Sequence, residues 1–390
     1  MGYLENEVLD IVRHALRKES YQKSLSNEKE IFTMIFENGL NGLAYSVIDK
    51  HAVSNIFYKR LENTFFEYVS KDEKQQAAIK EIREILNQHD IDFIFMKGTV
   101  LKNLYPESYM RAMGDIDLLI KESDLKRIHQ VFSDHQIKCT LKSKQHDGFL
   151  LNGLMIEVHP GLYKDFNPKY ALLFSNPWKY SYHVNQHEYA FTHEFEICYL
   201  LYHLAKHMDS SGVGLRSVLD LGVYENHFKD ELQSDLLYEL LTIGNMSTFY
   251  HVMMEFNKQC FGITTLNEDN PNILTEDEMN ELITYITKSG IHGLGSNYNA
   301  FSSKVASSQM KGSSKFKFMI SLFFPDYESM KGMYPWSSKS RILIIPAWII
   351  RWIKLIFKTP KMTYRKLKKL KTPENEVKES RKIFEMIGLK

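Results

Sequence analysis

The chain has 390 residues, 44% of them hydrophobic and 25% charged, with 24 Phe and 22 Tyr. That is long enough for two or three structural units around sizeable cores, and too aromatic for a disordered chain. Net charge is only +1, but the stretch from Lys339 to Lys371 holds eleven Lys or Arg and no Asp or Glu, which leaves −10 on the rest; a basic tail on an acidic body points to an anionic surface or substrate for the tail.

Met1 to Glu7 lacks a basic region followed by an apolar core, so no secretory signal is expected. Asn6 stands where a myristoylation signal wants Ser or Thr, and myristoylation is not expected either. Residues 1–90 carry helical periodicity, at Leu9, Ile11, Val12 and Leu16, then at Ile31, Ile35, Leu40, Leu43 and Val47. The charged run from Lys71 to His89 places Ile79, Ile82 and Ile85 on one helical face.

At Ile91 the character changes. Phe93 to Met96 predicts a buried strand, Lys97-Gly98-Thr99 a turn, and Val100 to Tyr105 a short helix. Ile116 to Ile120 predicts a second strand, and Glu122 to His135 an amphipathic helix. Phe149 to Leu151, Asn152-Gly153 and Leu154 to Val158 predict a hairpin. Helices are expected again from His193: Glu194 to Met208, Val218 to Phe228, Leu232 to Ile243 and Thr248 to Cys260, then one opened by a capping box at Thr275. Gly290 to Ser314, rich in Gly, Ser and Asn, predicts a loop. The fold class is therefore α+β, a small mixed-sheet domain over 91–190, flanked by helical regions at 1–90 and 191–310 and by a basic helical segment at 311–390.

Asp115 and Asp117 are two apart, so their side chains leave one face of a strand. Two neighbouring carboxylates repel each other unless solvated or neutralised by a cation. Magnesium, or manganese in its place, removes that cost and keeps positions open for phosphate. In Leu154 to His159 the even-numbered residues are apolar, which puts Glu157 and His159 on the other face. If this strand lies beside the Asp115 strand, Glu157 joins the site, and three carboxylates can hold two magnesium ions for in-line phosphoryl or nucleotidyl displacement. Gly98 would let the backbone approach a phosphate, Thr99 would present its hydroxyl, and Lys97 or Arg111 would neutralise a triphosphate. Taken singly, each of these residues is equally a turn or a solvated surface residue; their order along the chain carries the reading.

Phe95-Met96-Lys97-Gly98, then Arg111-x-x-Gly114-Asp115-Ile116-Asp117-Leu118-Leu119-Ile120, then Ile156-Glu157-Val158-His159 resemble the polymerase-β nucleotidyltransferase superfamily, and within it a bacterial family of uncharacterised nucleotidyltransferases. The resemblance is strongest over Ile91 to Pro160. It implies that Asp115 and Asp117 bind the metals, that Glu157 completes the site, and that Gly98 and Thr99 contact the nucleotide phosphates. Thr99 departs from the usual second Gly or Ser by adding a methyl group. The resemblance does not specify an acceptor.

His203 and His207 share a helical face, with Glu196 two turns earlier on that side. His-x-x-x-His can bind zinc, but the expectation here is that these histidines line the catalytic domain near the acceptor, with His159 and Asp220 as further candidates. Ile342 to Phe357 is too short and too basic to cross a bilayer. Ile345, Ile349, Trp352 and Ile356 would form one apolar face, suited either to packing or to an anionic membrane surface. Cys139, Cys198 and Cys260 are too dispersed for a disulfide framework and fit a reducing compartment, so a cytoplasmic location is expected, with a membrane-peripheral one as its variant. The leading expectation is an enzyme that moves a nucleoside monophosphate from an NTP to a small-molecule, sugar-phosphate, peptide or protein acceptor. The alternatives are a non-catalytic nucleotide- or peptide-binding module of the same fold and a membrane-peripheral scaffold. Sequence-specific nucleic acid is not an expected partner.

Overall fold

The computed structural model describes residues 2–143, 145–162, 170–266, 273–296, 298–358 and 373–389. They divide into two compact units, 1–207 with 213–298, and 208–212 with 299–390.

The first unit opens with four helices, α1 (Tyr3–Arg17), α2 (Glu28–Glu37), α3 (Asn41–Val47) and α4 (Asn55–Gln88). No Gly or Pro interrupts the 34 residues of α4, and the Ser54 side chain caps it by accepting from the Phe57 N–H. A seven-stranded mixed sheet follows, built from β1 (Phe93–Met96), β2 (Ile116–Ile120), β3 (Lys138–Lys142), β4 (Asp147–Leu151), β5 (Leu154–His159), β6 (Ser181–Asn185) and β7 (Glu188–Phe191). The spatial order is β3-β4-β5-β2-β1-β7-β6. At its centre β5 runs parallel to β2, and β2 antiparallel to β1. Between the strands lie the single turn α5 (Gly98–Leu101), then α6 (Leu125–Asp134) and α7 (Ala171–Phe174).

Period-two alternation decides which side of the sheet does what. Phe93 and Phe95, Ile116, Leu118 and Ile120, and Ile156 and Val158 point to one face. There they form a core with Ile79, Ile82, Ile85 and Leu86 of α4 and Ile128, Val131 and Phe132 of α6. Asp117 and Glu157, each between two of those residues, are left on the other face. The Asn152-Gly153 turn that joins β4 to β5 has positive φ at both positions, 50° and 82°, as a two-residue hairpin requires. The unit continues with α8 (His193–Ser210, up to His207), α9 (Leu215–Phe228), α10 (Ser234–Ile243), α11 (Ser247–Phe261) and α12 (Glu276–Ser289), the last opened by the expected capping box at Thr275.

Three strands and one helix go beyond the sequence reading. β3 is an exposed strand at one edge, and β6 and β7 form a hairpin whose second strand pairs parallel with β1. The region 290–314, expected as a loop, contains α13 (Ala300–Met310). Its small residues have a packing purpose: Ser302, Ser303, Ala306 and Ser307 are buried, and the helix lies against α17 (Glu374–Met386) in the second unit. That unit also holds α14 (Lys315–Phe323), α15 (Tyr327–Met333) and α16 (Ile344–Lys358). Of the basic run from Lys358 to Lys371, everything after Lys358 lies outside the described residues.

Phe132 is fully buried and meets Phe149 edge-on at 5.0 Å between ring centroids. Phe132→Ala should therefore cost about 3–5 kcal/mol, read as a lower denaturant midpoint.

Candidate active site

The parallel pairing of β2 with β5 sets Asp117 directly opposite Glu157 and Leu119 opposite His159. Asp115 stands one residue before β2 and is exposed, whereas Asp117 is buried. Burial by itself would raise the Asp117 carboxyl, but Lys97 and His159 outweigh it and hold it well below the usual carboxylate range. Lys97 Nζ lies 2.5 Å from Asp117 Oδ1, and His159 Nε2 donates to the same oxygen at 3.0 Å. Glu157 is lowered first by its contact with His159, against the pull of burial. Asp115 is raised, by partial desolvation against the neighbouring protein and then by the charges of Glu157 and Asp117, so the three acids share one electrostatic neighbourhood.

Lys97 reaches Asp117 from an unusual backbone. The β1–β2 register places Met96 opposite Asp117, and the next residue turns at φ 53° and ψ −119°. A side chain in that region costs about 1–3 kcal/mol, a strain that persists where the surroundings demand it. Here the demand is a half-buried ammonium beside a buried carboxylate.

His146 completes the group. Its Nε2 is 3.4 Å from Glu157 Oε1, while His159 Nε2 is 3.5 Å from Glu157 Oε2. One ligand atom from each of His146, Glu157 and His159 can be chosen so that all lie within 4.8 Å of one another. Sequence reading missed His146, yet its signal was present. Counting back from the Asn152-Gly153 turn, Leu151 pairs with Leu154 and Gly148 with Glu157, and the same count sets His146 across from His159.

A family model described as uncharacterised nucleotidyltransferase matches residues 24–262, well over half of the chain and every strand of the sheet. The chain belongs to this family. No curated protein and no solved structure matches it.

The other candidate residues of this family member fall into two groups. Gly98, Thr99, Arg111 and Asp220 are built into the support. A Cβ on Gly98 would come within 2.6 Å of Met113 Cγ and 2.7 Å of Arg111 Nη1, so packing demands the glycine. The Thr99 hydroxyl is buried and faces Met113 Sδ at 3.8 Å. Arg111 is committed to Asp220 by two bonds, Nε to Oδ1 at 3.0 Å and Nη2 to Oδ2 at 2.8 Å, and Tyr105 donates to Asp220 as well. The segment leading to Asp115 is tied down further: Gln75 Nε2 donates to the Met113 carbonyl at 3.0 Å and Arg216 Nη1 to the Ala112 carbonyl at 2.7 Å. Gly114 itself has no positive φ, and a Cβ there would meet open space.

The second group lies along α8. His203 and His207 approach at 3.1 Å between Nε2 atoms, and His207 meets His292 at 3.4 Å. Burial keeps the His203 and His207 imidazoles neutral, with His207 down to about 3, and the charge of Lys97 adds to the effect. Glu196 and Tyr199, on the same helix, also feel Lys97. Burial pushes the Glu196 carboxyl up to about 8, and among the described residues its Oε1 has no hydrogen-bond partner.

Two measurements follow from these buried groups. Arg111→Met should cost about 3–5 kcal/mol by stranding Asp220, while Arg111→Met/Asp220→Leu should cost clearly less than the two single changes added together; a double-mutant cycle in denaturant reads the difference. Because the folded value of Glu196 lies above its ordinary 4.5, the native state keeps a proton that the unfolded chain has lost. Wild type should thus lose stability relative to Glu196→Gln as pH rises from 4.5 to about 8, with no further widening above that, read from unfolding midpoints along a pH series.

Proposed function

We propose that the chain transfers a nucleoside monophosphate from an NTP to an acceptor hydroxyl, phosphate or carboxylate, with Asp115, Asp117 and Glu157 as the acidic centre. The observation that carries the reading is the in-register pairing of Asp117 with Glu157 beside Asp115, on the sheet face away from the α4–α6 core. Three carboxylates offer the oxygen donors that magnesium or manganese takes, and the site already draws one cation, the Lys97 ammonium, onto Asp117. Asp115, Asp117 and Glu157 would hold the metals, with His146 and His159 at the edge. Bound there, divalent ions would supply charge neutralisation for the triphosphate and for the leaving pyrophosphate.

The chain's own residues have three tasks. Lys97 offsets negative charge at the sheet face and orients Asp117. Where the acceptor is a hydroxyl, Glu157 takes its proton as the oxygen attacks, with His146 and His159 beside it; a phosphate or carboxylate acceptor attacks as the anion. A bond then forms from that oxygen to the α-phosphorus, the bond from the α-phosphorus to the bridging oxygen breaks, and pyrophosphate leaves with the electron pair. Gly114, with open space where a side chain would stand, leaves room for a phosphate close to the backbone. Arg111, held by Asp220, acts by positioning the segment that delivers Asp115. The face of α8 with His203 and His207 is the candidate wall for the acceptor.

The test is incubation with each labelled NTP in magnesium or manganese, following pyrophosphate release and self-labelling. Asp115→Ala/Asp117→Asn should lower the rate at least about a hundredfold, with the fold intact by circular dichroism. Undiminished activity in that variant would overturn the site.

A further inference from the structure

The second unit carries a surface that nucleotidyl transfer does not use. Half of the large hydrophobic side chains exposed among the described residues fall between Phe316 and Phe357. Six are on α16 itself: Ile345, Ile349, Ile350, Ile353, Ile356 and Phe357. Ile342, 76% exposed, stands just before it. At 100° per residue these side chains sweep an arc of roughly 140°. The opposite side of the helix is the packed one. Ala347 is buried, Trp348 meets Phe324 edge-on and donates to the Pro325 carbonyl at 2.9 Å, and Trp352 stacks on Phe323 at 5.2 Å. Arg351 donates to the Leu322 and Phe323 carbonyls from the same side. The expected face of Ile345, Ile349, Trp352 and Ile356 is corrected accordingly: Trp352 turns inward, and Ile353 and Phe357 take its place outside. Nearby, Phe316 and Ile320 of α14 are exposed as well.

Solvent contact over so wide an apolar arc is costly, and the charge around it selects the cover. Lys339, Arg341 and Lys354 belong to the eleven-cation stretch that contains no acid. A second copy of the chain would set that charge against itself. No described helix is long and apolar enough to cross a bilayer, and the 15 residues of α16 reach only about 22 Å. An anionic lipid surface answers both features, taking the apolar arc into the acyl boundary and the cations at the headgroups.

We propose that the exposed apolar face of α16 and its basic flanks dock this protein onto an anionic membrane surface, with the helix lying in the interface. Co-sedimentation of the full chain with vesicles tests this, using phosphatidylcholine alone and phosphatidylcholine mixed with phosphatidylglycerol. Binding to the anionic vesicles should exceed binding to the neutral ones at least about tenfold and weaken with added salt, because each lost cation–lipid contact is worth about fivefold. Ile349→Asp/Ile353→Asp changes two solvent-facing side chains and should reduce binding at least about tenfold with an unchanged melting profile. Three results would overturn the proposal: wild type in the supernatant with both vesicle types, binding indifferent to lipid charge and salt, or a variant that binds like wild type. Concentration-dependent self-association of wild type that the variant lacks, without vesicle binding, would assign the face to a second copy instead.

Discussion

Two carboxylates side by side on a largely buried sheet face are the constraint from which the site follows. Asp117 and Glu157 are forced together by the β2–β5 register, and water cannot fully solvate them. The fold answers with cations and donors brought from three directions. Lys97 arrives through a strained turn at the end of β1, His159 follows Glu157 by two residues on the same strand, and His146 arrives at the start of β4. A buried charge without such partners would shift its proton equilibrium or unfold the site. The strain at Lys97 is sensible on this view, since it is smaller than the cost of an uncompensated Asp117.

The acidic segment is positioned by helices outside the sheet. Gln75 from α4 and Arg216 and Asp220 from α9 all act between residues 111 and 114. Gln75 is itself fixed by Lys102, whose ammonium bonds Gln75 and pairs with Asp72. Burial draws the Lys102 amine down from its ordinary value, against the pull of Asp72. Lys102 thus braces the helix that holds the acidic segment, and Arg111 and Asp220 bond each other beside it.

α8 shows a different use of burial. His203 and His207 are held neutral and Glu196 keeps its proton because their surroundings are poor in water; the Lys97 ammonium reinforces the first effect and opposes the second. The second unit is organised by another balance, aromatic packing on the inner side of α16 and apolar exposure with positive charge on its outer side.

The sequence alone determined the elements with a clear apolar run, turn or stripe: β1, β2, the Asn152-Gly153 hairpin and the apolar-striped helices. Alternation also put Asp117 and Glu157 on the same kind of face, because a two-residue period leaves no other choice. It did not reveal β3, β6 or β7, whose mixed polar side chains become strands only when a neighbour supplies the ladder. Nor did it reveal α13, whose serines look like a linker until α17 packs against them. Which strand lies beside which was a tertiary decision. So were the commitment of Arg111 to Asp220, the approach of His146 to Glu157 and the inward turn of Trp352, because each depends on contacts between segments that the local pattern cannot order in space.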